Sequence, residues 1–132
     1  MDRIVLDASA VLAMLQQEPG GDRVFAAVTK LSGEVAISSV NFCEVTTKLV
    51  REGASRAEVH LSVDQFRRHV VDFDFLQAQR AGELYRETKS LGLSLGDRAC
   101  LALAATTRAT VWTTDRAWKK LKIGVQVELI RG

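Results

Sequence analysis

What this 132-residue sequence lacks narrows the field before any motif is read. It has two cysteines, Cys43 and Cys100, far apart and without a C-x-x-C spacing, so neither a disulfide framework nor a thiol-ligated zinc site is expected. Both fall in apolar helical patterns and read as small core residues. No apolar run approaches the roughly 18 residues that span a bilayer, and the opening M-D-R runs into a strand without the basic and long apolar regions of a signal peptide. The expectation is a soluble, cytoplasmic chain with no membrane partner. Charge of one sign is missing too. With 18 basic residues against 16 acidic ones and a formal net charge of +2, no polyanion-binding character follows from bulk charge, and any nucleic-acid contact must rest on local placement. There is no G-x-x-x-x-G-K-[ST] phosphate loop, internal repeat, linker or low-complexity stretch.

What is there is a chain of one-domain length, 47% hydrophobic and able to bury a substantial core. "RIVLD" at 3–7 is a short apolar run ending in an acid, the pattern of a buried parallel strand. A helix follows from about Ser9 to Pro19, and a second, amphipathic one over 22–31. "EVAIS" at 34–38 predicts a second strand, followed by a helix over 40–52 and another that starts behind Ser55. "VVDFDF" at 70–75 predicts a third strand whose Asp72 and Asp74 share a solvated face. A long helix then runs to Gly92, an alanine-rich helix starts near Ser94, and strands at 109–115 and 125–130 flank a short basic helix, "RAWKKLK". Strands alternating with helices predict one α/β domain over 1–132, with a mainly parallel five-stranded sheet flanked by helices on both faces.

Ligands of such sheets bind beyond the carboxyl ends of the strands, so an acid directly after a strand is informative. Asp7 after "IVL" and Asp115 after "VWTT" meet that condition. Glu44 lies beside the buried stripe of the helix after the second strand, and Asp97 enters the alanine-rich helix near the same edge. Each has a plain local explanation: capping or turn chemistry for Asp7, Asp97 and Asp115, and an i,i+4 pair with Lys48 for Glu44. Together, four carboxylates from four separated segments can converge on one end of one domain, and such repulsion is relieved by a divalent cation or by raised pKa values. Oxygen ligands suit Mg²⁺ or Mn²⁺, which activate water for attack on a phosphodiester.

"IVLDASA", "SSVNFCEV", "LSLGDRACLALA" and "VWTTDRAW", in this order, resemble the signatures of PIN domains, in particular the VapC-type toxin ribonucleases of prokaryotic toxin–antitoxin pairs, over essentially the whole chain. The resemblance implies a parallel sheet in the order 3-2-1-4-5, an Mg²⁺- or Mn²⁺-dependent endoribonuclease acting on RNA, a homodimer, and neutralisation by a cognate VapB-type antitoxin. It implies that Asp7, Glu44, Asp97 and Asp115 are the metal-binding acids, Asp115 being the more variable one, with Asn41 as the amide beside Glu44. Ser9 and Thr113 or Thr114 then stand where hydroxyls can hydrogen-bond the carboxylates or a metal-bound water.

Arg98 follows Asp97, while Arg116, Lys119 and Lys120 follow Asp115, so these four are expected at the RNA phosphates unless they simply solvate a helix face. Trp112 reads as core and Trp118 as core or dimer contact; His60 and His69 have no assigned chemistry. A receiver-type phosphoacceptor domain needs a second acid after the first strand and a lysine after the last, and a haloacid-dehalogenase-like phosphatase needs D-x-D where this chain has D-A-S. The rival of another class is a PIN fold kept as a non-catalytic metal- or protein-binding module.

Overall fold

The computed structural model describes residues 3–131, so residues 1, 2 and 132 of the expected domain lie outside the described residues. β1 (Ile4–Leu6) is buried at every position and forms the middle of the sheet. It pairs in parallel with β2 (Val35–Ser38) on one side and β4 (Thr110–Thr113) on the other. β3 (Val70–Val71) adds beyond β2 and β5 (Val127–Leu129) beyond β4, giving the order β3-β2-β1-β4-β5, parallel throughout. The expected α/β architecture and strand order are both present.

The alternation of β1 divides the core. Ile4 and Leu6 join one apolar cluster with Val11, Val24, Val45 and Phe66, while Val5 joins another with Cys100, Leu101, Leu103, Val111 and Trp118. Helices α1 (Ala8–Leu15), α2 (Gly21–Lys30), α3 (Ser39–Arg51) and α4 (Arg56–Val63) contribute to the first. On the second side lie α5 (Phe75–Glu83), α6 (Tyr85–Thr88) and α7 (Leu95–Thr107). Burial on both faces is what removes every polar residue from the interior of β1. Since the chain builds outward from β1 to β3 and then returns to lay β4 on the other flank, the sheet reverses direction between β1 and β4. The crevice at their carboxyl ends is the place such a sheet offers to a ligand.

Four local expectations need correction. The third strand ends at Val71 because Asp74 caps α5 instead, accepting from the Gln77 amide at 2.9 Å. The long helix before Gly92 is broken into α5, α6 and a 3₁₀ turn, which Gly92 closes with φ +67°. "RAWKK" is a 3₁₀ helix (Arg116–Lys120), with Trp118 buried in the core. Cys43 is exposed, since α3 buries Asn41 and Val45 on the opposite side; Cys100 is buried as expected. Among the described residues, no helix is long and apolar enough to cross a membrane.

Candidate active site

Asp7 ends β1 and caps the N-terminus of α1. Its Oδ1 accepts from the Ala10 amide at 2.8 Å and from the Ser9 hydroxyl at 2.7 Å; its Oδ2 accepts from the Thr113 hydroxyl at 2.5 Å. Those hydroxyls are fixed from behind. The Thr114 amide donates to Ser9 Oγ at 3.0 Å and the Asp115 amide to Thr113 Oγ1 at 3.1 Å. Two backbone amides just past β4 thus act through two hydroxyls to orient one carboxylate on the neighbouring strand. Burial pushes the Asp7 carboxyl up to about 6, against the pull of the Thr113 and Ser9 hydroxyls and the Ala10 amide, with a further push from Asp97.

Glu44 comes from the second turn of α3, a helix started by Ser38, whose hydroxyl accepts from the Val40 amide. The buried Asn41, one turn earlier, donates from Nδ2 to Glu44 Oε1 at 2.9 Å and to the Gly96 carbonyl at 3.0 Å. One amide therefore ties α3 to the first turn of α7. In that turn Asp97 completes a capping box: its amide donates to Ser94 Oγ, and its Oδ2 accepts from the Ser94 amide at 2.9 Å. Asp115 caps the 3₁₀ helix, with Oδ1 accepting from the Ala117 amide at 2.9 Å. Capping and placement at the sheet edge are both true of these acids.

All four line one open cleft of about 470 Å³ at the β1–β4 crevice, together with Ser9, Thr114 and the buried Trp118. Behind it, burial drives the Cys100 thiol well above its usual range, and the Asp7, Asp97 and Glu44 carboxylates add to that push, so three of the acids bear on one interior point. Among the described residues, no group of three or more His, Cys, Asp or Glu side chains stands in a geometry that would hold a metal ion. One oxygen each of Glu44, Asp97 and Asp115 accepts a hydrogen bond from a group on, or at the cap of, its own helix. The other oxygen has no hydrogen-bond donor among the described residues. A carboxylate anchored through one oxygen and open at the other is an oriented hard ligand, so the donor set fits Mg²⁺ or Mn²⁺ in kind. A larger hollow of about 740 Å³ between α3 and α4 is lined by Phe42, Val50, Val59 and Val63 and holds none of these acids.

The profile of the PIN domain matches residues 4–124. The chain belongs to the PIN domain family. Its fold is similar to that of VapBC from Salmonella typhimurium in a DNA-bound crystal structure, with a TM-score of 0.80 and 18% identity over 98% of this chain and 99% of that one. It is also similar to VapBC2 from Rickettsia felis bound to a fragment of promoter DNA, with a TM-score of 0.76 and 20% identity over 96% and 97% of the two chains. VapBC-5 from Mycobacterium tuberculosis matches with a TM-score of 0.65 and 22% identity over the full length of both. No curated protein sequence matches the chain.

The basic residues of this PIN domain are arranged differently from the expectation. Arg98 turns away from the cleft: its guanidinium donates to the Ala81 carbonyl at the end of α5 at 2.9 Å and lies over the Tyr85 ring. Arg116, Lys119 and Lys120 are exposed but do not line the cleft; Lys119 donates to the Val127 carbonyl at 2.8 Å, and Lys120 faces a separate hollow beside Leu91. The cations that do line it are Lys48 and Arg51 of α3. They lie four and seven residues beyond Glu44, on one helical stripe, and that spacing was the available signal. His69 is buried with Nδ1 3.1 Å from the Val35 carbonyl, and His60 borders the apolar hollow, so neither belongs to the site.

Proposed function

We propose that this PIN domain is a VapC-type toxin: an endoribonuclease, dependent on Mg²⁺ or Mn²⁺, that hydrolyses RNA phosphodiester bonds in the cytoplasm. It works as a homodimer and is restrained by a cognate VapB-type antitoxin. The observation that carries the reading is the gathering of Asp7, Glu44, Asp97 and Asp115, from four separated segments, around one cleft at the sheet's reversal point. The family and the likeness to solved VapBC assemblies support the choice of partner and reaction.

In this reading the four carboxylates would hold the cation. Asn41 keeps Glu44 against α7, and Ser9 and Thr113, themselves held by the Thr114 and Asp115 amides, fix the Asp7 carboxylate. The chemistry such a cation would supply when bound is a lowered pKa for water and an offset of charge at the scissile phosphate. The chain's own residues do the rest. Lys48 and Arg51 draw an RNA phosphate into a cleft whose acids would otherwise repel it. Asp7 is itself buried, and charge interactions at a buried carboxylate are screened less than at the surface.

The test is incubation of purified, antitoxin-free protein with total RNA and with individual transfer RNAs, in Mg²⁺, Mn²⁺ or EDTA, beside a folded Asp97→Asn variant. Discrete products that vanish with EDTA and with the variant are expected. Equal cleavage by the variant would remove Asp97 from the site. Mn²⁺ binding without cleavage of any RNA would turn the reading to a non-catalytic binding module.

A further inference from the structure

Gly96 lies buried in the first turn of α7, and no turn or left-handed backbone requires a glycine there. The positive-φ glycines of the described chain are Gly20, Gly53, Gly92 and Gly124, so Gly96 has a backbone that any residue adopts. In a helix, alanine is the more favourable residue at such a position. What a side chain there would meet is specific. The three nearest atoms to a Cβ built on Gly96 are both oxygens and the carboxyl carbon of Glu44, all closer than the 3.0 Å that real Cβ contacts respect. The Glu44 carboxylate therefore lies flat over the Gly96 Cα, in the space a methyl group would fill. Gly21 gives the contrast: its Cβ would strike the Ala13 backbone, which cannot move aside, so that glycine serves helix packing. The Glu44 carboxylate is the end of a flexible chain and can be displaced without disturbing the core.

We propose that Gly96 is a positioning residue: its missing side chain creates the seat in which Glu44 is held at the mouth of the cleft. Asn41 locks that seat by donating from one amide group to Glu44 Oε1 and to the Gly96 carbonyl together. Glycine at 96, amide at 41 and carboxylate at 44 form one unit across α3 and α7. Loss of the seat swings the carboxylate out toward solvent while the helix stays folded. The functional half of this inference rests on the proposed cation site; the placement half does not.

Two readouts on the intact chain separate them. The first is the NMR signal of the Asn41 side-chain amide, assigned by its loss in Asn41→Asp, and it needs no metal. Gly96→Ala is expected to shift it as Glu44→Gln does, with a melting temperature equal to or above that of the unaltered protein. The second is titration with Mn²⁺ alone, followed by calorimetry. Gly96→Ala is expected to weaken Mn²⁺ binding about tenfold. When Glu44→Asp has already drawn the carboxylate back by one methylene, the same change is expected to cost less than about twofold. An unmoved Asn41 signal in Gly96→Ala, or an equal loss of Mn²⁺ affinity in both backgrounds, overturns the inference. A shifted Asn41 signal in a protein that binds no Mn²⁺ upholds the seat and overturns the cation reading instead.

Discussion

Asp7 and Glu44 face the same cleft but are held in opposite ways. Asp7 is buried at the end of the central strand, accepts three hydrogen bonds, and has its carboxyl pushed up to about 6. Glu44 is exposed on a helix, accepts one hydrogen bond from Asn41, and keeps its place because Gly96 leaves room for it. The first is oriented by a hydrogen-bond network in a buried site, and burial is what costs stability when the acid is ionised; the second is held by shape, in the space left by a glycine where alanine would favour the helix. Function can therefore be removed from the two sides with different consequences for the fold.

The sharpest break in that comparison is Asp7→Asn. Cleavage should fall by about 1000-fold, roughly 4 kcal/mol of barrier, whereas the metal-free protein should become more stable at pH 7. The sign follows from linkage. A carboxyl raised from 3.8 to about 6 on folding contributes stability that is complete below about 4 and is lost as pH rises through about 6. The whole effect is at most about 3 kcal/mol. Urea unfolding from pH 4 to 7 should show the two proteins diverging with rising pH, and parallel curves would mean that Asp7 carries no such strain.

Next in size is Lys48→Ala combined with Arg51→Ala, expected to raise KM for RNA about tenfold, most strongly at low salt, with little change in kcat. Arg98→Ala should leave KM unchanged and lower the melting temperature, since its guanidinium serves the end of α5. Reversal of that pair of results would restore the arrangement first expected from the sequence. Thr113→Val should cost about 1–2 kcal/mol, because the Asp115 amide loses its acceptor. It should also move the acidic limb of the pH–rate profile upward, because a hydroxyl that lowers the Asp7 pKa is gone. Ser9→Ala should act in the same direction and more weakly.

Much of this was readable from local pattern. Asp7 and Asp115 announce themselves as acids directly after apolar runs, and Asp97 as the third residue beyond Ser94, because strand ends and helix starts are short-range features. The third strand misled because "VVDFDF" alternates like a strand while Asp74 is also a good cap, and the cap prevailed at a sheet edge where only one neighbour offers hydrogen bonds. Arg98 misled because adjacency to Asp97 in sequence puts its side chain on a different side of α7. The role of Gly96 could not be read at all: its partner is 52 residues earlier in the chain, and only the packing of α3 on α7 brings them together.

A cation site built by these carboxylates is tested most directly by the urea unfolding midpoint at pH 7 against Mn²⁺ concentration, for the unaltered protein and for Asp7→Asn. A midpoint that climbs with Mn²⁺, corresponding to a gain in unfolding free energy of about 2.7 kcal/mol at one hundred times the dissociation constant, and a flat line for Asp7→Asn are expected. A midpoint indifferent to Mn²⁺, or one that climbs equally in both proteins, would contradict it.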